Sequence, residues 1–160
     1  MDEGQDRPQR CAAGRTVLRQ LIALTGTFVA PMLDPLRDGL PGDVLVVEDD
    51  PIIALDFEDT ILRLGVKSVR TAGNVARALQ FIDERAPDFA LLDIGLVREN
   101  SFAVAERLEA LGIPFTFVSG YDGGAALTDA FAQKPRLPKP CTTDALEAAL
   151  KRAVAGGAAR

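Results

Sequence analysis

A chain of 160 residues, 48% hydrophobic and 26% charged, can bury one core of ordinary size, so a single folded domain is expected. The net charge of −5 argues against direct nucleic-acid binding, which needs a clustered positive face, and no basic stripe is present. The absence of His removes the commonest general base and most zinc chemistry, while Cys11 and Cys141 show no metal-ligand spacing, so a reducing cytoplasm fits.

Residues 1–42 differ from the rest, with five Arg balanced by five acids, an uneven apolar pattern and a Pro/Gly-rich exit from Asp38 to Gly42. They are read as an N-terminal extension, partly disordered or carrying a short helix from about Arg15 to Leu24, with Met32 as an alternative start. The apolar stretch Leu21 to Leu33 is too short to span a bilayer and lacks a convincing cleavage site. From Asp43 onward strands are expected near 43–47, 67–71, 88–92, 114–118 and 135–138. Helices fill the gaps. The first, about Pro51 to Leu64, begins with Pro and ends at Gly65, with Ile53, Leu55, Phe57, Ile61 and Leu64 facing inward. The second runs from an Asn74 cap through Ala78, Leu79 and Ile82 to Ala86, and the third covers about Ser101 to Leu111. A fourth is expected near Gly124 to Ala132 and a fifth from Thr143 to Ala155, with residues 156–160 as a flexible tail. Five successive βα units make an α/β, doubly wound parallel sheet of five strands.

In such a sheet, side chains just past the carboxyl ends of the strands converge on one crevice. Glu48 and Asp49 follow the apolar run ending at Val47, Asp93 follows Phe89 to Leu92, Ser119 follows Phe115 to Val118, and Lys139 lies between Pro138 and Pro140. Glu48 and Asp49 repel each other, so gathering them beside Asp93 gains most from a divalent cation, and magnesium suits an all-oxygen set. An acidic loop here also has a plainer use, capping the first helix, and that role is assigned to Asp50 in any case. Asp93 is either a structural cap at a strand end or a nucleophile toward phosphorus. The backbone carbonyl of Gly95 can add a metal ligand. Ser119 alone reads as a turn former, but its hydroxyl can also donate to a phosphoryl oxygen. Lys139 is either a solvated loop Lys or an ammonium that pairs with Asp93 before transfer and with the phosphoryl group after it. The Lys139–Pro140 bond is a candidate cis peptide.

These residues, over about Asp43 to Ala155, resemble the receiver domain of two-component response regulators, the CheY-like family. The resemblance rests on Glu48 and Asp49, on Asp93 in LLDIGL and on Lys139 in LPKP. It implies a flavodoxin-like fold of strand order 2-1-3-4-5, magnesium held by Glu48, Asp49, Asp93 and the Gly95 carbonyl, and phosphoryl transfer from a sensor histidine kinase to Asp93. Lys139 and Ser119 assist. The run PFTFVSGY at 114–121 is similar to the PFxFATGY motif of the alphaproteobacterial FAT GUY single-domain regulators, with Val118 in place of Ala and Ser119 in place of Thr. Arg136 stands where ordinary receivers carry an aromatic switch, so Tyr121, with Ser119, is the candidate switch residue, an ordinary loop residue being the plainer reading of Tyr121.

The resemblance implies a stand-alone phosphoacceptor rather than an enzyme. Its output passes to a downstream signalling protein across the face of the fourth helix, fifth strand and fifth helix, and a homodimer is open to it. No membrane attachment is expected. Two other readings compete. A phosphohydrolase with an Asp nucleophile wants a second Asp two residues on, where this chain has Gly95. A receiver-like adaptor binds partners without phosphorylation, since fold does not establish function.

Overall fold

The computed structural model describes residues 39–120 and 129–157. In chain order the elements are β1 (Asp43–Val47), α1 (Pro51–Arg63), β2 (Ser68–Ala72), α2 (Val75–Glu84), β3 (Phe89–Asp93), β4 (Gly95–Leu96), β5 (Glu99–Asn100), α3 (Phe102–Ala110), β6 (Phe115–Ser119), a 3-10 turn (Asp129–Phe131), β7 (Arg136–Pro138) and α4 (Thr143–Gly157). Five strands form one parallel sheet in the order β2-β1-β3-β6-β7. With the short β4–β5 hairpin set aside, this is the expected order 2-1-3-4-5, the flavodoxin-like receiver fold.

Strand side chains alternate between the two faces, and here both faces are apolar, as a parallel sheet with helices on each side requires. Val44, Val46, Phe89, Leu91 and Val118 pack with Phe57 and Ile61 of α1 and with Leu146 and Leu150 of α4. Leu45, Val47, Ala90, Leu92 and Phe117 face the other way, toward Ala78 and Ile82 of α2 and Val104 and Leu108 of α3. The central strands are therefore buried on both sides, and their ends are fixed in register.

The helices start and stop where local chemistry dictates. Asp50 caps α1, its Oδ1 accepting from the Ile52 and Ile53 amides at 2.8 and 3.3 Å, and Pro51 occupies the first turn, where its missing N–H costs nothing. Gly65 ends that helix with φ of +107°, a conformation that disfavours a side chain. Asn74 caps α2 through Arg77 N at 2.8 Å. At the opposite end of the sheet from these caps, Asp43 pairs with Arg70 at 2.5 Å and Arg85 at 2.9 Å.

Three expectations need correction. Leu55, assigned to the inward face of α1, is 64% exposed, because the buried stripe is Ala54, Phe57 and Ile61, spaced at three and four residues. The segment read as a fourth helix shows only the 3-10 turn Asp129–Phe131 in its described part, and residues 121–128 lie outside the described residues. That turn is held by Phe131, 2% exposed, which stacks near Phe117 and Phe102 with ring centroids 5.6 Å away in each case. The third is an omission: the β4–β5 hairpin directly after Asp93 was not foreseen. The expected N-terminal extension, residues 1–42, and Tyr121 lie outside the described residues, apart from 39–42. Among the described residues no helix is long and apolar enough to cross a membrane.

Candidate functional site

The carboxyl ends of four strands deliver the site. Val47 is level with Leu92, Asp93 with Val118, and Ser119 with Pro138, so the residues at and just beyond those positions share one edge. Glu48 is tied to the sheet by its amide, which donates to Ala72 O at 3.0 Å, and its side chain is 2% exposed. Asp93 ends β3 and is 7% exposed. The Lys139 amide donates to Ser119 O at 2.8 Å, and the Lys139–Pro140 bond is cis.

The Lys139 ammonium bridges two acids, donating to Glu48 Oε2 at 2.5 Å and to Asp93 Oδ2 at 2.8 Å. The other Asp93 oxygen, Oδ1, accepts from Gly95 N at 3.3 Å, and Glu48 Oε1 accepts from Asp50 N at 3.3 Å. Asp49 is half-buried and turns the other way, its Oδ2 accepting from Val97 N at 3.0 Å. One carboxylate oxygen from each of Glu48, Asp49 and Asp93 lies within 4.8 Å of the others. Three hard oxygen donors, converging and under-neutralised by one ammonium, fit a small divalent cation.

Burial and the neighbouring charges together set the protonation balance. Burial pushes the Glu48 carboxyl above its usual range, with the Asp93 charge adding to the rise and the Lys139 bond opposing it. Burial works against the charge on Lys139, but its bonds to Asp93 and Glu48 outweigh that and raise the ammonium above its ordinary value. Lys139 therefore stays cationic at neutral pH.

Of the sequence-derived candidates, Glu48, Asp49, Asp93 and Lys139 come together directly. Ser119 stands half-buried at the end of β6, beside the strand that carries Asp93. Gly95 is two residues from Asp93, exposed, and a side-chain carbon built there meets nothing within 4 Å. Sequence reasoning paired Lys139 with Asp93 but missed its bond to Glu48, 91 residues away. It also missed the hairpin amide of Val97 on Asp49, for which a backbone N–H leaves no residue-type signal.

A family model for the response regulator receiver domain matches residues 44–151. The chain belongs to that family. Among solved structures the receiver resembles SdrG from Sphingomonas melonis Fr1, with 36% identity, a TM-score of 0.63, and coverage of 73% of this chain and 98% of SdrG. It is 30% identical over 82 residues to the phyllosphere-induced regulator PhyR of Methylorubrum extorquens, covering 49% of this chain and 31% of PhyR. It is 29% identical over 113 residues to the sensory transduction protein LytT of Enterococcus faecalis, covering 69% of this chain and 47% of LytT. The receiver thus spans half or less of these curated relatives' own length.

Proposed function

We propose that this receiver accepts a phosphoryl group on Asp93 from the phosphohistidine of a sensor histidine kinase and changes its protein contacts as a result. The observation that carries the reading is Lys139 Nζ at 2.8 Å from Asp93 Oδ2, an acid whose carboxylate converges with those of Glu48 and Asp49. In the transfer an Asp93 carboxylate oxygen bonds phosphorus, the phosphorus–nitrogen bond of the phosphohistidine breaks, and its electron pair returns to the imidazole. Lys139 leaves its pairing with Asp93 for a phosphoryl oxygen, supplying the charge that phosphoryl transfer chiefly needs. Ser119 donates its hydroxyl to another phosphoryl oxygen. Glu48, Asp49, Asp93 and the Gly95 carbonyl would hold Mg2+, which when bound would neutralise charge on the carboxylates and the phosphoryl group.

On this reading the protein is a phosphoacceptor switch that assists its own phosphorylation and dephosphorylation rather than an enzyme acting on a separate substrate. The run PFTFVSGY at 114–121, and the likeness to proteins of Sphingomonas and Methylorubrum, support a place in the FAT GUY group, with Tyr121 joining Ser119 in the switch. The downstream signalling protein docks on the face of β7 and α4 together with the 3-10 turn segment, in the cytoplasm. The test is phosphate-affinity gel mobility after incubation with acetyl phosphate or a phosphorylated kinase, with and without Mg2+. A Mg2+-dependent shift lost in Asp93→Asn is expected. No shift with either donor would instead favour an adaptor that works without phosphorylation.

A further inference from the structure

The hairpin after Asp93 ties the acidic site to a neighbouring helix. Gly95 pairs with Asn100 and Leu96 with Glu99, leaving Val97 and Arg98 as a two-residue turn. Leu96, 7% exposed, roots one strand in the core, but Val97 is 83% exposed, so its burial does not place the turn. Two hydrogen bonds do. The Val97 amide donates to Asp49 Oδ2 at 3.0 Å, and Glu99 Oε1 accepts from the Val75 amide at 2.9 Å.

Val75 is the first residue of α2, and the amides of a helix's first turn have no partner within the helix. Asn74 satisfies that of Arg77, whereas the Val75 amide is satisfied by Glu99, reaching from a different element with its charge at the positive end of the helix dipole. Asp49, Gly73, Asn74, Leu96, Val97 and Glu99 line a cleft of about 180 Å³ between hairpin and helix.

We propose that Glu99 is a positioning residue for the cation site: it pins the hairpin to α2 and so holds the Val97 amide where it orients Asp49. This rests on the reading of Glu48, Asp49 and Asp93 as a divalent-cation site. A carboxylate with one oxygen already held by an amide has fewer orientations to lose when a cation binds, and loss of such supporting bonds weakens metal affinity.

The test titrates the full chain with MgCl2, following binding by calorimetry and the Val97 and Val75 amides by NMR, in wild type, Glu99→Ala, Glu99→Gln, Glu99→Asp and Asp49→Asn. Glu99→Ala is expected to weaken Mg2+ binding roughly tenfold, to speed exchange of the Val97 amide, and to lower the thermal midpoint by no more than the loss of one helix cap does. Glu99→Gln keeps the acceptor oxygen and recovers most of the affinity. Glu99→Asp keeps the charge but shortens the reach, so it behaves like Glu99→Ala. Equal affinity in wild type, Glu99→Ala and Glu99→Asp overturns the proposal while leaving the cation reading intact. A wild type that binds no Mg2+, or binding unchanged in Asp49→Asn, overturns both.

Discussion

Lys139 pairs with two largely buried carboxylates, Glu48 and Asp93. Replacing it by the similarly sized Met leaves both acids without their counter-charge. Lys139→Met is therefore expected to cost about 2 kcal/mol in divalent-free buffer, below the several kcal/mol of a fully buried pair because the ammonium keeps some solvent. Urea denaturation measures this, and added Mg2+ restores part of the loss. Cys141 makes a second prediction. Its thiol donates to Pro138 O at 3.2 Å, and burial is the main cause that lifts its pKa above the ordinary 9.0, against the pull of Lys139. Because the folded value is raised, the associated stability is complete below pH 9.0 and is lost as pH rises through the folded value. The thiolate is the reactive form, so at pH 8.5 Cys141 should alkylate more slowly in the native protein than in the urea-unfolded chain. Peptide mapping distinguishes it from Cys11, and equal rates would contradict the assignment. At this scale the acids were legible because they follow apolar runs, and Lys139 because it lies between two prolines. The Glu48–Lys139 bond was not, since nothing local links residues so far apart in sequence.

Among the elements, α1 shows how adjacent acids divide their work. Asp49 turns to the hairpin and Asp50 to the helix, where its carboxylate accepts two first-turn amides. Asp50→Ala should cost about 1 kcal/mol of stability as a lost cap and leave phosphorylation of Asp93 intact, a split that denaturation and gel mobility can check on one preparation. Asp49→Asn should do the reverse. The start of α1 was legible from Asp50-Pro51 and its end from Gly65, and Phe57 and Ile61 of its inward face were assigned correctly, but Leu55 was taken in place of Ala54. Ala54 and Leu55 are both apolar, and only the register set by Phe57 and Ile61 decides between them. The hairpin escaped notice for a different reason. Its two-residue strands are too short for any periodicity, and the bonds that place it are donated to Asp49 and accepted from Val75, both distant in the chain.

For the whole molecule, the sheet was readable because Val44–Val47 and Phe89–Leu92 are unbroken apolar runs and Phe115–Val118 is broken only by Thr116, the pattern of a strand covered on both faces. That architecture brings three acids to one edge and leaves them repelling, so a cation should stabilise the whole fold by binding it in preference to the unfolded chain. At a hundred times its dissociation constant, Mg2+ should add about 2.7 kcal/mol. Calorimetry should show this as a rise in Tm that is absent in Asp49→Asn. The central claim is narrower: the acceptor is Asp93 and no other acid. After phosphorylation by a phosphorylated histidine kinase with Mg2+, borohydride reduction converts an aspartyl phosphate to homoserine, which tandem mass spectrometry locates in the sequence. The account predicts homoserine at position 93, and none there when the kinase or Mg2+ is omitted. Homoserine at Asp49 or at any other aspartate, with position 93 unmodified, would contradict it.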